Sequence, residues 1–115
     1  MSHRHLSRSV VLQTLFEWDF SNLKKRDLTS AFERNIKEFA PDSKDRPFMQ
    51  KLLDSVIDKQ KELDNIIERA APDWPLEKIS IVDRNILRIG LAELIFADRS
   101  EVPRKVAINE GIEHA

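Results

Sequence analysis

The stretch 81–110, IVDRNILRIGLAELIFADRSEVPRKVAINE, constrains the fold more than any other part of this chain. Apolar residues return at helical spacing at Val82, Ile86, Ile89, Gly90, Leu94 and Ala97, the pattern of a helix with one buried face. Ser80, with Asp83 three residues on, resembles a capping box, in which a side chain satisfies a free N–H group of the first turn. A polar break follows at 98–101. Pro103 then sits where a first helical turn tolerates it, since its missing N–H would be unpaired anyway. Glycine occurs twice in the whole chain, and the apolar runs are too long for hairpins. An all-helical fold follows.

A chain of 115 residues has room for one domain and one core. The formal net charge of −1 provides no global basic field, so any nucleic-acid site must be a local patch. The absence of cysteine removes disulfides and cysteine-bound metals and fits a reducing cytoplasm. No apolar run is long enough to span a membrane. The N-terminus is free of acids through Phe16, a faint likeness to a transit peptide, but it runs straight into a helix that the fold needs.

Taken in order, the first helix is expected over 7–20, with Val11, Leu12, Leu15, Phe16 and Trp18 on one apolar face. Arg4 and Arg8 share that azimuth. Unpaired charges are costly to bury, so either the helix starts near Ser7 or Ser9, or its first turn projects into solvent. Both arrangements gather Arg4, His5 and Arg8 at one end. Lys24, Lys25 and Arg26 read as a loop. Ser30 and Glu33 read as a second capping box, leading a stripe of Leu28, Phe32, Ile36 and Phe39. Asp45 is placed to cap the next helix, with Pro47 in its first turn. The pattern from Phe48 to Ala71 has no glycine or proline, and a break is expected near 61–64. Pro72-Asp73-Trp74-Pro75 is a firm stop. Trp74 and Ile79 are expected to pack the turn into the central helix.

Little points to catalysis. His3, His5 and His114 lie near the termini, away from any protected carboxylate. There is no glycine-rich phosphate cradle. His3 and His5 alone make a poor metal site, so no metal or cofactor is expected. Glu93 falls inside the apolar stripe and needs a partner. A structural acceptor, bonded to an arginine or a helix N-terminus, is favoured there over a general base.

The segment VDRNILRIGLAEL followed by VPRKVAINE is similar to the signature of the NusB family, RNA-binding transcription antitermination factors. The likeness runs from about Arg4 to the last residue and is weakest between Asn22 and Asp45. It implies two packed three-helix units, about 1–62 and 63–115. Relatives continue with a further helix, so the second unit is expected to be truncated here, with lower stability than a longer version or a face hidden in an oligomer.

The resemblance also implies the function. A basic N-terminal segment, here Arg4, His5 and Arg8, contacts single-stranded boxA-like RNA, and the helix matching VDRNILR adds Arg84 and Arg88. His5 and Leu6 stand where many relatives have arginine, so the segment carries less charge than usual. Gln13 and Phe16 match positions near this surface, Phe16 reading as core. Guanidinium groups suit phosphate and stack on unpaired bases. Asp83 and the region from Trp74 to Arg84 would face the ribosomal protein NusE within an RNA polymerase antitermination complex that supports rRNA transcription. For Asp83 a helix-capping role is equally open. Some relatives form a homodimer through a surface overlapping the RNA site. Two other readings stay open: the N-terminal RNA-targeting domain of an RNA cytosine methyltransferase, and a purely protein-binding bundle.

Overall fold

The computed structural model describes residues 2–96. Among these it contains five α-helices and one 3-10 turn: α1 (Ser2–Ser21), α2 (Lys25–Phe39), α3 (Arg46–Asp58), α4 (Gln60–Ala70), the turn Leu76–Lys78, and α5 (Ile81–Phe96). No described helix is long and apolar enough to cross a membrane. The expected helix from Pro103, and residues 97–115 of the second three-helix unit with its expected truncation, lie outside the described residues.

Helix α1 is the hub, packing on α2, α3 and α5, while α4 lies against α5 and α3. Its buried face carries Val10, Val11 and Leu15. These meet Leu28, Phe32 and Ile36 of α2, Met49, Leu52, Leu53 and Val56 of α3, Leu63 of α4, and Ile89 and Ala92 of α5 in one core. Buried polar groups stitch the helices where apolar side chains stop. The Thr14 hydroxyl bonds the Val10 carbonyl at 2.9 Å and accepts from Asn35 Nδ2 at 3.1 Å. Asn35 also donates to Glu17 at 3.0 Å, which pairs with Arg34. Every buried side-chain nitrogen and oxygen among the described residues has a hydrogen-bond partner, as a stable interior requires.

The ends of the helices follow local chemistry. After α1, Asn22 takes φ 52, a left-handed conformation asparagine tolerates, and Leu23 N–H returns to the Trp18 carbonyl at 3.2 Å. This is a Schellman-type stop. Ser80 Oγ accepts the Asp83 N–H at 3.1 Å, the expected cap of α5. Pro47 sits in the first turn of α3, also as expected.

Other local expectations are corrected. Helix α2 begins at Lys25, not near Ser30. Ser30 is interior, with its hydroxyl on the Arg26 carbonyl, because burying Leu28 extends the helix backwards through the basic run. The break after α3 falls at Lys59, two residues before the expected window. Asp45 occupies the N-cap position of α3 but makes no side-chain cap, since its carboxylate is bonded elsewhere. Trp74 is exposed and does not pack the turn, whereas Ile79 is half-buried.

The largest correction concerns α5. The row Val82, Ile86, Leu94, expected in the core, is exposed, and Gly90 is exposed with it. The buried face carries Asn85, Arg88, Ile89 and Ala92. Arg88, with only 5% of its side chain exposed, joins Asp19 of α1 (2.9 Å) and Asp64 of α4 (2.8 Å). Its guanidinium also lies 5.7 Å from the Trp18 ring centroid. Arg84 forks onto Asp19 at 2.6 and 2.7 Å and donates to the Leu76 carbonyl. Asn85 donates to Asp19 at 3.0 Å. Two carboxylates on neighbouring helices thus select which side of α5 turns inward.

Burial alone would raise the Asp19 carboxyl, but hydrogen bonds from Arg84 and Asn85 and the charges of Arg88 and Arg84 outweigh it and hold it below the ordinary value of 3.8. A carboxyl depressed in the folded state adds stability that is fully present above its unfolded pKa and disappears as pH falls through the folded one. Urea unfolding is therefore expected to show stability constant near neutrality and falling below about pH 4. Asp19→Asn, which leaves Arg84 and Arg88 short of an acceptor, is expected to cost about 3 kcal/mol at neutral pH and to flatten that acid dependence. The facing of α5 has its own check: Ile89→Ala should cost about 3 kcal/mol, whereas Leu94→Ala should change stability by less than about 0.5 kcal/mol.

Candidate nucleic-acid interface

The first turns of α1 run past α3 and the C-terminal half of α5, and this crossing assembles the basic end of the molecule. The helix starts at Ser2, earlier than expected, so Arg4, His5 and Arg8 all lie on regular helix. Arg4 and Arg8 stand one turn apart, about 6 Å along the axis. They neither project freely nor lie unpaired in the core. Arg4 Nε donates to both Asp45 oxygens, at 3.2 and 2.9 Å. The same carboxylate accepts from the fully buried Ser7 hydroxyl at 2.6 Å, which is why it leaves the α3 cap unmade. Arg8 forks onto Glu93 of α5, Nε to Oε2 at 2.8 Å and Nη2 to Oε1 at 2.7 Å. That is the arginine-bound structural acceptor expected of Glu93. The hydrogen bond that Arg8 donates to Glu93, and secondarily the charge of that carboxylate, outweighs desolvation and raises the Arg8 pKa.

Phe48 of α3 completes the corner. The Arg4 guanidinium lies 3.9 Å from its ring centroid and that of Arg8 5.7 Å, distances at which a ring face attracts a cation. The side chains of Arg4 and Arg8 remain 39% and 43% exposed, and His5 is exposed. Beside Asp45 opens a shallow groove of about 690 Å³ lined by Leu6, Phe39, Pro41 and Lys44, with both Leu6 and Phe39 presenting apolar surface to water.

The structure does not bring all expected site residues together. Arg84 and Arg88 stand apart from Arg4, His5 and Arg8 and do not form the exposed ridge expected of them: they lie in the α1–α4–α5 junction with their guanidinium groups turned onto Asp19 and Asp64. Their spacing along α5 looked like an exposed basic ridge, because the acids that bind them lie more than 20 positions away. Asp83 and Trp74 are both exposed near the start of α5. Phe16, expected in the core, is only half-buried and stacks on the exposed Phe20 with ring centroids 5.8 Å apart. Phe48 and Asp45 adjoin the arginines of this corner, and the sequence alone does not point to them. The only signal for them was their nearness to a cap, which says nothing of a helix 40 residues earlier. Among the described residues no group of three histidine or acidic side chains is placed to hold a metal.

The NusB family model matches residues 5–115. A protein named transcription antitermination protein NusB from Desulforudis audaxviator is 37% identical, covering 97% of this chain and 78% of the relative. Its namesake from Desulfotalea psychrophila is 36% identical, over the whole of this chain and 82% of the relative. A third, from Desulfitobacterium hafniense, is 34% identical over 97% of this chain and 74% of the relative. No solved structure gives a significant match. These relatives carry the name of a transcription factor and not of an enzyme. With a family model over nearly its whole length and relatives above one-third identity, the chain belongs to the NusB family of transcription antitermination proteins.

Proposed function

We propose that this protein binds single-stranded boxA-like RNA through the N-terminal turns of α1, and holds that RNA near transcribing polymerase as part of an antitermination complex supporting rRNA synthesis. The observation that carries the reading is the pair of half-exposed guanidinium groups of Arg4 and Arg8, one helical turn apart and both close to the Phe48 ring. Planar, permanently charged forks suit phosphate oxygens, and they stack on bases that single strands leave unpaired. His5 adds a third polar group on the same turns, and the adjoining groove offers Leu6 and Phe39 as apolar surface for a base. The mechanism is binding and tethering, without a cofactor, and such a role belongs to the cytoplasm.

The ribosomal protein NusE is the proposed protein partner, meeting the surface that carries Trp74 and Asp83. Trp74 is 68% exposed on a proline-flanked turn. A large aromatic side chain in water is a common anchor for a protein interface.

A labelled boxA-like oligonucleotide titrated into the full chain tests the RNA reading. Affinity should fall steeply between low and moderate salt. Arg4→Ala and Arg8→Ala should each weaken binding about tenfold, the size of one lost charge-assisted contact, with helix content retained by circular dichroism. Affinity that stays flat with salt, or that survives both substitutions, would sink it in favour of a protein-binding bundle.

A further inference from the structure

The two half-exposed arginines of α1 are held by carboxylates of different standing. Asp45 is fixed: it is largely buried, it takes the Ser7 hydroxyl, and Ser7 itself has no exposed surface. Glu93 is held by less. Among the described residues its side-chain hydrogen bonds come from Arg8, in a contact open to solvent. An exposed ion pair of this kind contributes little to stability. Yet its geometry, two parallel N–H bonds to two oxygens, is the one a guanidinium uses on a phosphodiester. Phosphate and Glu93 therefore compete for the same edge of Arg8.

We propose that Glu93 is an affinity-setting residue of the RNA site: it occupies Arg8 until a phosphate of the bound strand displaces it, and its charge limits how tightly any strand is held. This rests on the RNA-binding reading above and adds to it a residue that need not touch RNA at all. In the free protein Glu93 cancels the Arg8 charge and orients the fork. In the complex it faces the arriving phosphate with a charge of the same sign. The corner then binds less strongly than its arginines alone would allow. A ligand must supply oxygens in the right fork geometry to take the place of Glu93, and a diffuse cloud of negative charge does not suffice.

The test uses the full chain and a labelled boxA-like single strand over a range of salt concentrations. Glu93→Gln keeps the shape and removes the charge. It should tighten binding about fivefold at low salt and steepen the slope of log affinity against log salt by about 0.7, the share of one more neutralised phosphate on a single strand. In the Arg8→Ala background the same substitution should give no gain, since the competition has lost its object. Glu93→Ser serves as a second variant of smaller volume with the same expectation. Binding that is unchanged or weakened in both variants, at unchanged melting temperature, overturns the proposal, as does a gain that persists without Arg8. Failure of the parent reading looks different: neither the wild-type chain nor the Glu93 variants then bind the strand at any salt concentration.

Discussion

A guanidinium withdrawn from water needs its charge answered from more than one side, and Arg88 finds its answers on two separate helices. Asp19 comes from α1 and Asp64 from α4. Leaving any of the three without its partners would cost more than the pairing gains, so α1, α4 and α5 meet in the one arrangement that satisfies all of them. Arg84 and Asn85 add to the same knot through Asp19. The apolar core does the bulk of the stabilising, but apolar contacts are tolerant of rotation. Directional bonds to fixed acids are not, and they explain why α5 turns a partly polar face inward while its most regular apolar row meets solvent.

The same chemistry is used differently at the far end of α1. There Arg4 and Arg8 are also paired, but nearer the surface, where water reaches part of each guanidinium side chain. Among the described residues of a chain with almost no net charge, Arg84 and Arg88 spend their charge on holding helices together, whereas Arg4 and Arg8 are paired at a corner with part of each side chain in water. The distinction is one of depth. It lets a nearly neutral protein present a local cationic edge beside an aromatic ring without a basic field over the whole molecule.

Much of the fold is legible in the sequence because it is decided locally. The Ser80 cap, the place of Pro47, the stop at 72–75 and the Leu28, Phe32 and Ile36 part of the α2 stripe each follow from residues within a turn or two, whereas Phe39, expected in that stripe, is exposed. The family likeness likewise rests on an ordered run of residues. Features decided over long distances are not legible in this way. Arg88 and its acids are separated by 24 and 69 positions, and from the helix alone its azimuth looks like an ordinary solvated ridge. Asp45 looks like a helix cap because capping is what an aspartate does before a proline-led helix. Only the fold reveals the serine and the arginine that both donate to it. Asn22 is a different case: its left-handed turn had a local signal, an asparagine just past a helix, that passed as part of a polar connection. For the basic corner, the sequence pointed to Arg4, His5 and Arg8 but gave no sign of the ring and the acids that orient them.

Ser7 sits between the two arginines with its side chain wholly enclosed, and bonds the residue that precedes α3. A hydroxymethyl group is among the smallest side chains that can still reach Asp45. Helix α1 is therefore seated at a depth set by a single small residue, and anything bulkier would lever the helix outward. Because Arg4 and Arg8 ride on that rigid rod, such a lever would carry both cations off their acids and off the Phe48 ring in one movement. The placement of the whole corner thus hangs on a residue that carries no charge and is hidden from any ligand.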